Sequence, residues 1–213
     1  IAAAGGPRYA FREIPPLAHQ DGGMAGAHIR VGLLFNPATV LFPDRGHAGP
    51  EDSTGIRLDS GRPRLTLNPG RIVPIHPAFA GAVHCHWAPC RKALAAEFEI
   101  QDRRLFVIIC HFKSMRSLTR REGDYAKKQR HVQAEIVHQF AADLLACDSQ
   151  AAIVLLGDLN DVPGSKTLKL LKGESFHNLL EDLPRGQAYT RRHGGQPQAL
   201  DHILVSPALR HGA

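Results

Sequence analysis

The stretch VLLGDLNDVPGS, residues 154–165, carries an apolar run directly into polar side chains. Its first three residues are typical of a buried strand, and after one glycine come Asp158, Asn160 and Asp161. In α/β proteins, ligands bind beyond the carboxyl ends of the strands. A carboxylate at that place indicates a functional site at the edge of the core.

Other segments predict further strands of the same domain. Apolar or alternating runs bounded by Pro, Gly or charged residues predict strands over 28–37, 93–100, 104–110, 151–158 and 199–207. The run RLFVIIC, residues 104–110, is apolar almost throughout, which is typical of a strand buried on both faces. Residues 37–82 are rich in Pro and Gly and predict a long irregular excursion.

Two helices are predicted between these strands. The apolar side chains between residues 124 and 147 recur at steps of three and four, which predicts one helix with a stripe facing the sheet; they are Tyr125, Val132, Ile136, Phe140 and Leu144. A second, short helix is predicted over 165–173, opened by Ser165 and closed by Gly173. The order strand, helix, strand, helix, strand predicts an α/β class with a layered core.

Composition agrees with one domain over residues 1–213. The chain is 43% hydrophobic and has no apolar run of the roughly 18 residues that a membrane span needs. It carries 26 Lys and Arg against 20 Asp and Glu, a formal charge of +6. This balance favours polyanionic partners such as nucleic acid, but it also fits a basic surface with no such partner.

The termini and the cysteines carry weaker signals. The start IAAAGGPRYAF has neither an initiator Met nor the features of a signal peptide, so we expect the sequence to be an excerpt of a longer chain. Cys110 and Cys147 are predicted to be buried thiols, whereas Cys85 and Cys90 are close enough in sequence to form a disulfide. Zinc binding by residues 84–90 is disfavoured, since no second ligand pair stands at finger-like spacing.

Two predicted strands end in side chains that can perform hydrolysis. His111, Lys113 and Ser114 follow one strand, and Asp158 and Asn160 follow the next, so both groups emerge at one edge of the sheet. Such an Asp can bind a hard cation or carry a proton, the Asn can donate to an oxyanion, and the His can transfer a proton. Together they fit metal-assisted attack on a phosphoryl centre.

The same residues also fit a structural explanation. Asp, Asn, Pro, Gly and Ser all form turns, and Asp161 or Ser165 can cap the following helix. An EF-hand calcium loop is excluded, because Val162 and Pro163 occupy positions that need a ligand and a glycine.

Several blocks of the chain resemble the endonuclease/exonuclease/phosphatase superfamily, which has a deoxyribonuclease-like fold, and most closely its bacterial extracellular-nuclease branch. The blocks occur in the family's order and are DGGMAGAHIRVGLLFNPATV (21–40), NPGRI (68–72), RKALAAEF (91–98), CHFKS (110–114), RHVQAEIV (130–137), VLLGDLND (154–161) and QALDHILVSPAL (198–209). The resemblance implies a two-sheet sandwich flanked by helices, here incomplete at both termini. It also implies secretion and hydrolysis of phosphodiester bonds in DNA or RNA with Mg²⁺ or Mn²⁺, Ca²⁺ being a further candidate.

The resemblance also assigns catalytic roles. His111 corresponds to the histidine that contacts the scissile phosphate or assists the leaving oxygen. Asp158 aligns or deprotonates the attacking water, Asn160 stabilises the phosphoryl oxygens, and these two side chains are the metal-ligand candidates. Asp201 corresponds to an aspartate that orients a second histidine. His202 cannot be that histidine, because adjacent residues of a strand point to opposite faces.

Substrate contacts are predicted at Arg30, Arg91, Lys113 and Ser114. Residues 111–131 carry seven Lys and Arg against two acids, which suits a polyanion track, although part of it is expected to be the solvated face of the helix. The family's upstream metal-binding Glu and its downstream Ser-Asp-His block have no match in the sequence. The alternatives are therefore a phosphatase or sphingomyelinase-like phosphodiesterase of the same fold, and a catalytically inactive fragment.

Overall fold

The computed structural model describes residues 2–15, 29–46, 48–50, 52–72, 91–184 and 186–210. Its strands, in chain order, are β1 (Ala10–Glu13), β2 (Gly32–Phe35), β3 (Ile56–Asp59), β4 (Arg62–Leu65), β5 (Gly70–Arg71), β6 (Arg91–Ile100), β7 (Arg103–His111), β8 (Ala152–Asp158), β9 (His177–Asn178), β10 (Arg191–His193), β11 (Gln196–Gln198) and β12 (Asp201–Val205). The helices are α1 (Arg120–Cys147), α2 (Lys166–Lys172) and α3 (Pro207–Arg210), with 3-10 turns at Ala2–Ala4 and Leu179–Asp182.

A six-stranded sheet in the order β5-β6-β7-β8-β12-β9 forms the centre of the protein. Its middle strands β7 and β8 are parallel and are connected by α1, while each of the other described pairs in this sheet is antiparallel. The predicted α/β class is confirmed. Because β7 and β8 run the same way, the residues that follow both strands lie at one edge, as the sequence predicted.

Helix α1 begins four residues before its predicted start at residue 124. Thr119 is the N-cap: its side chain accepts from the backbone N–H of Glu122, and the Glu122 carboxylate accepts in return from the N–H of Thr119. This capping box fixes the first turn. The motif Thr-Arg-Arg-Glu was visible in the sequence, but the apolar period begins only after it.

The buried stripe of α1 differs from the predicted one. Leu144 and Ile136 are buried and Val132 and Phe140 are partly buried, but Tyr125 is exposed. The closest packing against the sheet uses small side chains and three polar ones; the buried set is Ala126, Gln129, Arg130, Gln133, Ala134, Ile136, Val137, Ala141 and Leu144. The small residues allow the helix to approach β7 and β8, and the polar ones serve the site described below.

The opposite face of the sheet is covered by a smaller layer. Ile14, Leu33 and Phe35, from β1, β2 and their surroundings, pack on Leu94, Ala96 and Phe98 of β6. Over β7 the cover is thinner: Phe106, Ile108 and Cys110 are buried beneath α1, whereas the alternate residues Leu105, Val107 and Ile109 are only partly buried. The expectation that residues 104–110 are buried on both faces was therefore wrong for this second face.

The predicted two-sheet sandwich appears in a reduced form. In the part of the chain that the structure describes, the second layer opposite α1 is the two-stranded β1–β2 sheet, not a sheet of comparable size. The remaining two-stranded sheets are the hairpins β3–β4 and β10–β11. None of the helices described is long and apolar enough to cross a membrane.

The excursion predicted over residues 37–82 contains regular structure as far as residue 72. The hairpin β3–β4 is attached to the sheet through Glu97, which is fully buried and accepts hydrogen bonds from both terminal nitrogens of Arg45 and from the backbone N–H of Leu65. Residues 73–82 lie outside the described ranges. A purely irregular excursion was thus a wrong prediction for the part that is described.

The cysteines are partly as predicted. Cys110 is a buried thiol, but Cys147 is exposed, because it is the last residue of α1 and lies beyond the last buried position, Leu144. Cys85 and Cys90, with the predicted disulfide and the zinc alternative, lie outside the described residues.

Candidate active site

Four polar side chains stand in one row across the central sheet. The register pairs Arg91 with His111, His111 with Asp158, and Asp158 with Asp201. β7 and β8 end at this row, and the antiparallel strands β6 and β12 begin there. Residues paired across neighbouring strands project from the same face. The topology thus gathers one guanidinium, one imidazole and two carboxylates on the face opposite α1.

His111 and Asp158 form the centre of the row. His111 Nε2 lies 3.5 Å from Asp158 Oδ2, and both side chains are partly exposed. Burial, together with the Arg91 guanidinium, lowers the pKa of His111 to about 4, although Asp201 opposes the shift. The imidazole is therefore neutral at pH 7, so its contact with Asp158 is not an ion pair between charged groups.

The pKa of the Asp158 carboxyl group is shifted in the opposite direction to that of His111. Burial raises its pKa above the ordinary value, and the neighbouring Asp201 carboxylate adds to the rise, against the backbone N–H of Asn160 and the positive charges of Arg91 and Arg191. That N–H donates to Asp158 Oδ1 over 2.9 Å. Asp158 is thus a stronger proton acceptor than an exposed aspartate, as a residue that activates water should be.

Asn160 joins the two loops that follow β7 and β8. It is buried, adopts a positive φ of 49°, and donates from Nδ2 to the backbone carbonyl of Phe112 over 3.0 Å. Arg91 Nη2 donates to the same carbonyl. One amide N–H of Asn160 is therefore committed to the fold, which leaves its Oδ1 as the more available atom toward a cation.

A buried ion pair behind the row was missed by the sequence reasoning. Arg130 Nε donates to Asp161 Oδ2 over 3.1 Å, and its Nη1 also reaches the carbonyls of Lys113 and Ser114. Thr167 donates to the same Asp161 oxygen. Helix α1 thereby holds both strand-end loops at once. The detectable signal was a pair of polar residues one turn apart, at 130 and 133, within the face of α1 that packs on the sheet.

Of the two residues predicted as possible caps of α2, Asp161 and Ser165, the structure confirms Ser165. Ser165 is the N-cap and accepts from the backbone N–H of Leu168. His202 lies on the face of β12 opposite Asp201, as predicted: it is buried, and its Nε2 is 2.9 Å from the carbonyl oxygen of Asp161. It is part of the support behind the row and not a member of it.

The predicted substrate residues do not all meet at the row. Arg91 is in it, and Arg30 lines a small cleft beside it with Lys92, but Arg30 also pairs with Glu13 over 2.6 Å. Lys113 lies farther along the loop, beside the first turns of α1. Ser114 Oγ accepts from the N–H of Arg116 and so shapes that loop.

The residues of the row fit a hard divalent cation. In the described ranges, no group of three His, Cys, Asp or Glu side chains is arranged to hold a metal ion. Mg²⁺, however, is usually bound by one or two carboxylates together with water and substrate phosphate. Asp158 and Asp201 are paired in register, and the Asp201 carboxylate contributes to the raised pKa of Asp158, an effect that a cation between them would relieve.

The pKa of His111 provides a direct test of this geometry. In the metal-free protein we expect His111 to titrate at about pH 4, and the Arg91→Met variant to titrate at a higher pH, because the guanidinium disfavours imidazolium. A lowered His pKa means that the unfolded chain binds the proton more readily. The stability contribution of neutral His111 is thus complete above about pH 6.5 and is lost as pH falls toward 4.

NMR titration of the His111 ring carbons measures this pKa in both proteins. A value near 6.5 in the unmutated protein, or an unchanged value in Arg91→Met, would show that burial and Arg91 do not act on the ring as described.

Comparison with known proteins relates the chain to one protein family. The profile of the Endonuclease/Exonuclease/phosphatase family matches residues 19–213. No curated protein matches the chain.

Three solved structures illustrate the likeness of fold. A humanized D. rerio TDP2 is 16% identical, with a TM-score of 0.54, and the alignment covers 96% of this chain and 63% of that one; D. rerio TDP2 is also known complexed with single strand DNA product. The human Nocturnin catalytic domain with bound sulfate is 13% identical (TM-score 0.54, coverage 97% and 63%). A mannosyl-6-phosphatase of Bacteroides thetaiotaomicron is 13% identical (TM-score 0.50, coverage 95% and 64%). The chain thus spans less than two thirds of each of these structures.

Proposed function

Because the chain belongs to the endonuclease/exonuclease/phosphatase family, we propose that it forms the catalytic part of a metal-dependent phosphodiesterase that cleaves nucleic acid. The observation that carries the proposal is the row Arg91, His111, Asp158 and Asp201 at one edge of the sheet. Hydrolysis of a phosphodiester needs positive charge close to the phosphoryl oxygens and a base that accepts a proton from the attacking water. The row supplies both within four neighbouring strands.

Each side chain of the row has a role that follows from its state. Asp158, with a raised pKa, orients the attacking water and accepts its proton. His111, with a pKa of about 4, is neutral at pH 7 and donates a ring N–H to a phosphoryl oxygen, because too little imidazolium is present for it to act as an acid. Arg91 contributes fixed positive charge. A bound Mg²⁺ or Mn²⁺, held by Asp158, Asp201 and the Asn160 carbonyl, would add charge stabilisation of the phosphoryl oxygens.

Two features support nucleic acid as the substrate. The chain has a formal charge of +6, and the exposed cations Arg116, Arg120 and Arg121 follow the loop after His111. D. rerio TDP2, which shares the fold, binds a single strand DNA product. The blocks at 110–114, 154–161 and 198–209 further support our proposal that the protein is of the secreted bacterial nuclease branch.

A second candidate is a phosphomonoesterase or lipid phosphodiesterase of the same fold. The specific observation in its favour is the mannosyl-6-phosphatase with the same fold. Fold does not fix the substrate, so the site has to be tested directly.

Parallel assays of the complete protein separate these candidates. Supercoiled plasmid, a labelled oligonucleotide, p-nitrophenyl phosphate and sphingomyelin vesicles are offered at equal phosphate concentration with Mg²⁺, Mn²⁺ or EDTA. We expect cleavage of plasmid or oligonucleotide that EDTA abolishes and added salt weakens steeply, because phosphate contacts release counterions. Faster hydrolysis of the monoester or the lipid, or full activity in EDTA, would refute the proposal.

A further inference from the structure

The hairpin β10–β11 leads directly into the catalytic row. Thr190 precedes β10, and its Oγ1 accepts from the backbone N–H groups of Leu200 and Asp201 over 3.1 and 3.2 Å. Asp201 is the first residue of β12 and the last member of the row. The base of the hairpin is therefore fixed to the β12 end of the site.

The hairpin itself contributes almost nothing to the core. All residues of β10 and the first two of β11 are exposed, and Gly194 and Gly195 at the tip have positive φ angles of 57° and 79°. A two-stranded hairpin is only marginally stable in water without a packed face. Packing thus gives no reason for its sequence, and its side chains face solvent.

Its two arginines are held in place by uncharged groups. Arg191 donates from Nε and Nη2 to the same oxygen, Gln198 Oε1, over 3.0 and 2.8 Å. The Arg192 guanidinium lies 5.0 Å from the centre of the Tyr189 ring. Among the described residues, no carboxylate lies within ion-pair distance of either guanidinium. Each guanidinium contacts an uncharged partner, and its charge remains available to an external anion.

The positive charge of the hairpin reaches the site. Arg191 directly follows Thr190, whose Oγ1 accepts from the N–H of Asp201, and Asp201 is paired in register with Asp158. A substrate phosphate at Asp158 therefore lies within the electrostatic field of the hairpin. A polynucleotide strand that continues from this phosphate past β12 would pass along the hairpin.

We propose that the β10–β11 hairpin is a phosphate-binding arm that holds a polynucleotide on the β12 side of the cleaved bond, through Arg191 and Arg192. This proposal rests on the proposed nuclease function and adds the path that the bound nucleic acid strand follows on the protein. It binds backbone phosphates and not bases, because its charged groups are two guanidiniums, which recognise phosphate oxygens. A small phosphodiester that has no neighbouring phosphates would not contact it.

The test compares two double variants with the same loss of charge. Arg191→Ala/Arg192→Ala removes the arm's cations, and Arg62→Ala/Arg103→Ala removes two exposed arginines near the opposite end of β7. Binding of a fluorescent single-stranded oligonucleotide to the complete protein is measured by anisotropy at several salt concentrations. Bis-p-nitrophenyl phosphate serves as a substrate that has no neighbouring phosphates, and its hydrolysis is measured for the same variants.

We expect the arm variant to bind the oligonucleotide about tenfold more weakly and to reduce the slope of log K against log salt by about 1.4, as for two lost single-strand phosphate contacts. The control should change neither quantity by a comparable amount and should hydrolyse the small diester at the unmutated rate. The arm variant should lose much less of its small-diester hydrolysis than of its oligonucleotide binding. Arg191→Lys/Arg192→Lys should restore most of the binding.

Equal weakening in the arm variant and the control, with intact binding by the unmutated protein, would overturn the arm alone. Failure of the unmutated protein to bind or cut the oligonucleotide would overturn the nuclease proposal and the arm with it. Equal loss of oligonucleotide and small-diester hydrolysis in the arm variant would also overturn the arm, since it would place the arginines at the cleaved phosphate.

Discussion

Replacement of Asp158 by asparagine is expected to lower the rate of nucleic acid hydrolysis by about a hundredfold or more, while leaving the fold intact. Asparagine has nearly the same shape, and its carbonyl oxygen can still accept the hydrogen bond from the N–H of Asn160. It cannot accept the proton of water, and it removes one of the two adjacent carboxylates that would hold a cation. The loss should appear in kcat, because both effects act on the transition state.

The same substitution should not destabilise the metal-free protein. An aspartate whose pKa is raised by folding costs stability when it is ionised, and this cost grows as pH rises from the ordinary value through the raised one. Asparagine carries no such cost, so at pH 7 the melting temperature of Asp158→Asn should equal or exceed that of the unmutated protein. A residue retained for activity at the expense of stability is expected to behave in this way.

Asp102→Asn is the matched control for this prediction. Asp102 is exposed in the turn between β6 and β7, at the other end of the strands, and undergoes the same chemical change. Its kcat and melting temperature should stay at the unmutated values. A kcat for Asp158→Asn within tenfold of the control, under saturating Mg²⁺ or Mn²⁺, would remove Asp158 from the catalytic centre.

The centre of the site was predictable because it depends on two strong signals. The apolar runs before His111 and Asp158 mark buried strands, and parallel strands bring their carboxyl ends to one edge. The antiparallel return that brings Asp201 beside Asp158 needs the strand order of the sheet, and the role of Asp201 came from the family resemblance. Local periodicity alone would not have paired these two carboxylates.

The support behind the site was not predictable in the same way. Arg130 and Gln133 belong to a helix whose polar residues are normally interpreted as a solvated face, yet both are buried against the strand-end loops. Their burial depends on the distance between α1 and β8, which is set by alanines at 134 and 141. Such polar contacts between distant segments leave no periodic trace, so only the three-dimensional structure identifies Asp161 as the partner of Arg130.

Replacement of Gly157 by alanine is expected to destabilise the protein by about 4 kcal/mol or more, sufficient to prevent folding of a domain of ordinary stability. Gly157 lies in β8 directly before Asp158 and has a positive φ of 131°. A Cβ at this position would lie 1.9 Å from the backbone oxygen of Cys110, its partner on β7. Backbone cannot move aside as a side chain can, so β7 and β8 would have to separate beneath the row that contains His111.

Gly164→Ala isolates the contribution of the clash from that of the backbone angle. Gly164 also has a positive φ, 78°, but a Cβ there would meet nothing within 4 Å. Its replacement should therefore cost only about 1 kcal/mol, the usual strain of a non-glycine residue in that region. Urea unfolding followed by circular dichroism measures the free energy of unfolding of both variants. If Gly157→Ala does not fold, its loss of stability is instead detected as a low yield of soluble protein. Equal stability of the two variants would mean that β7 and β8 are not packed backbone to backbone at the entrance to the site, and the alignment of His111 with Asp158 would lose its structural basis.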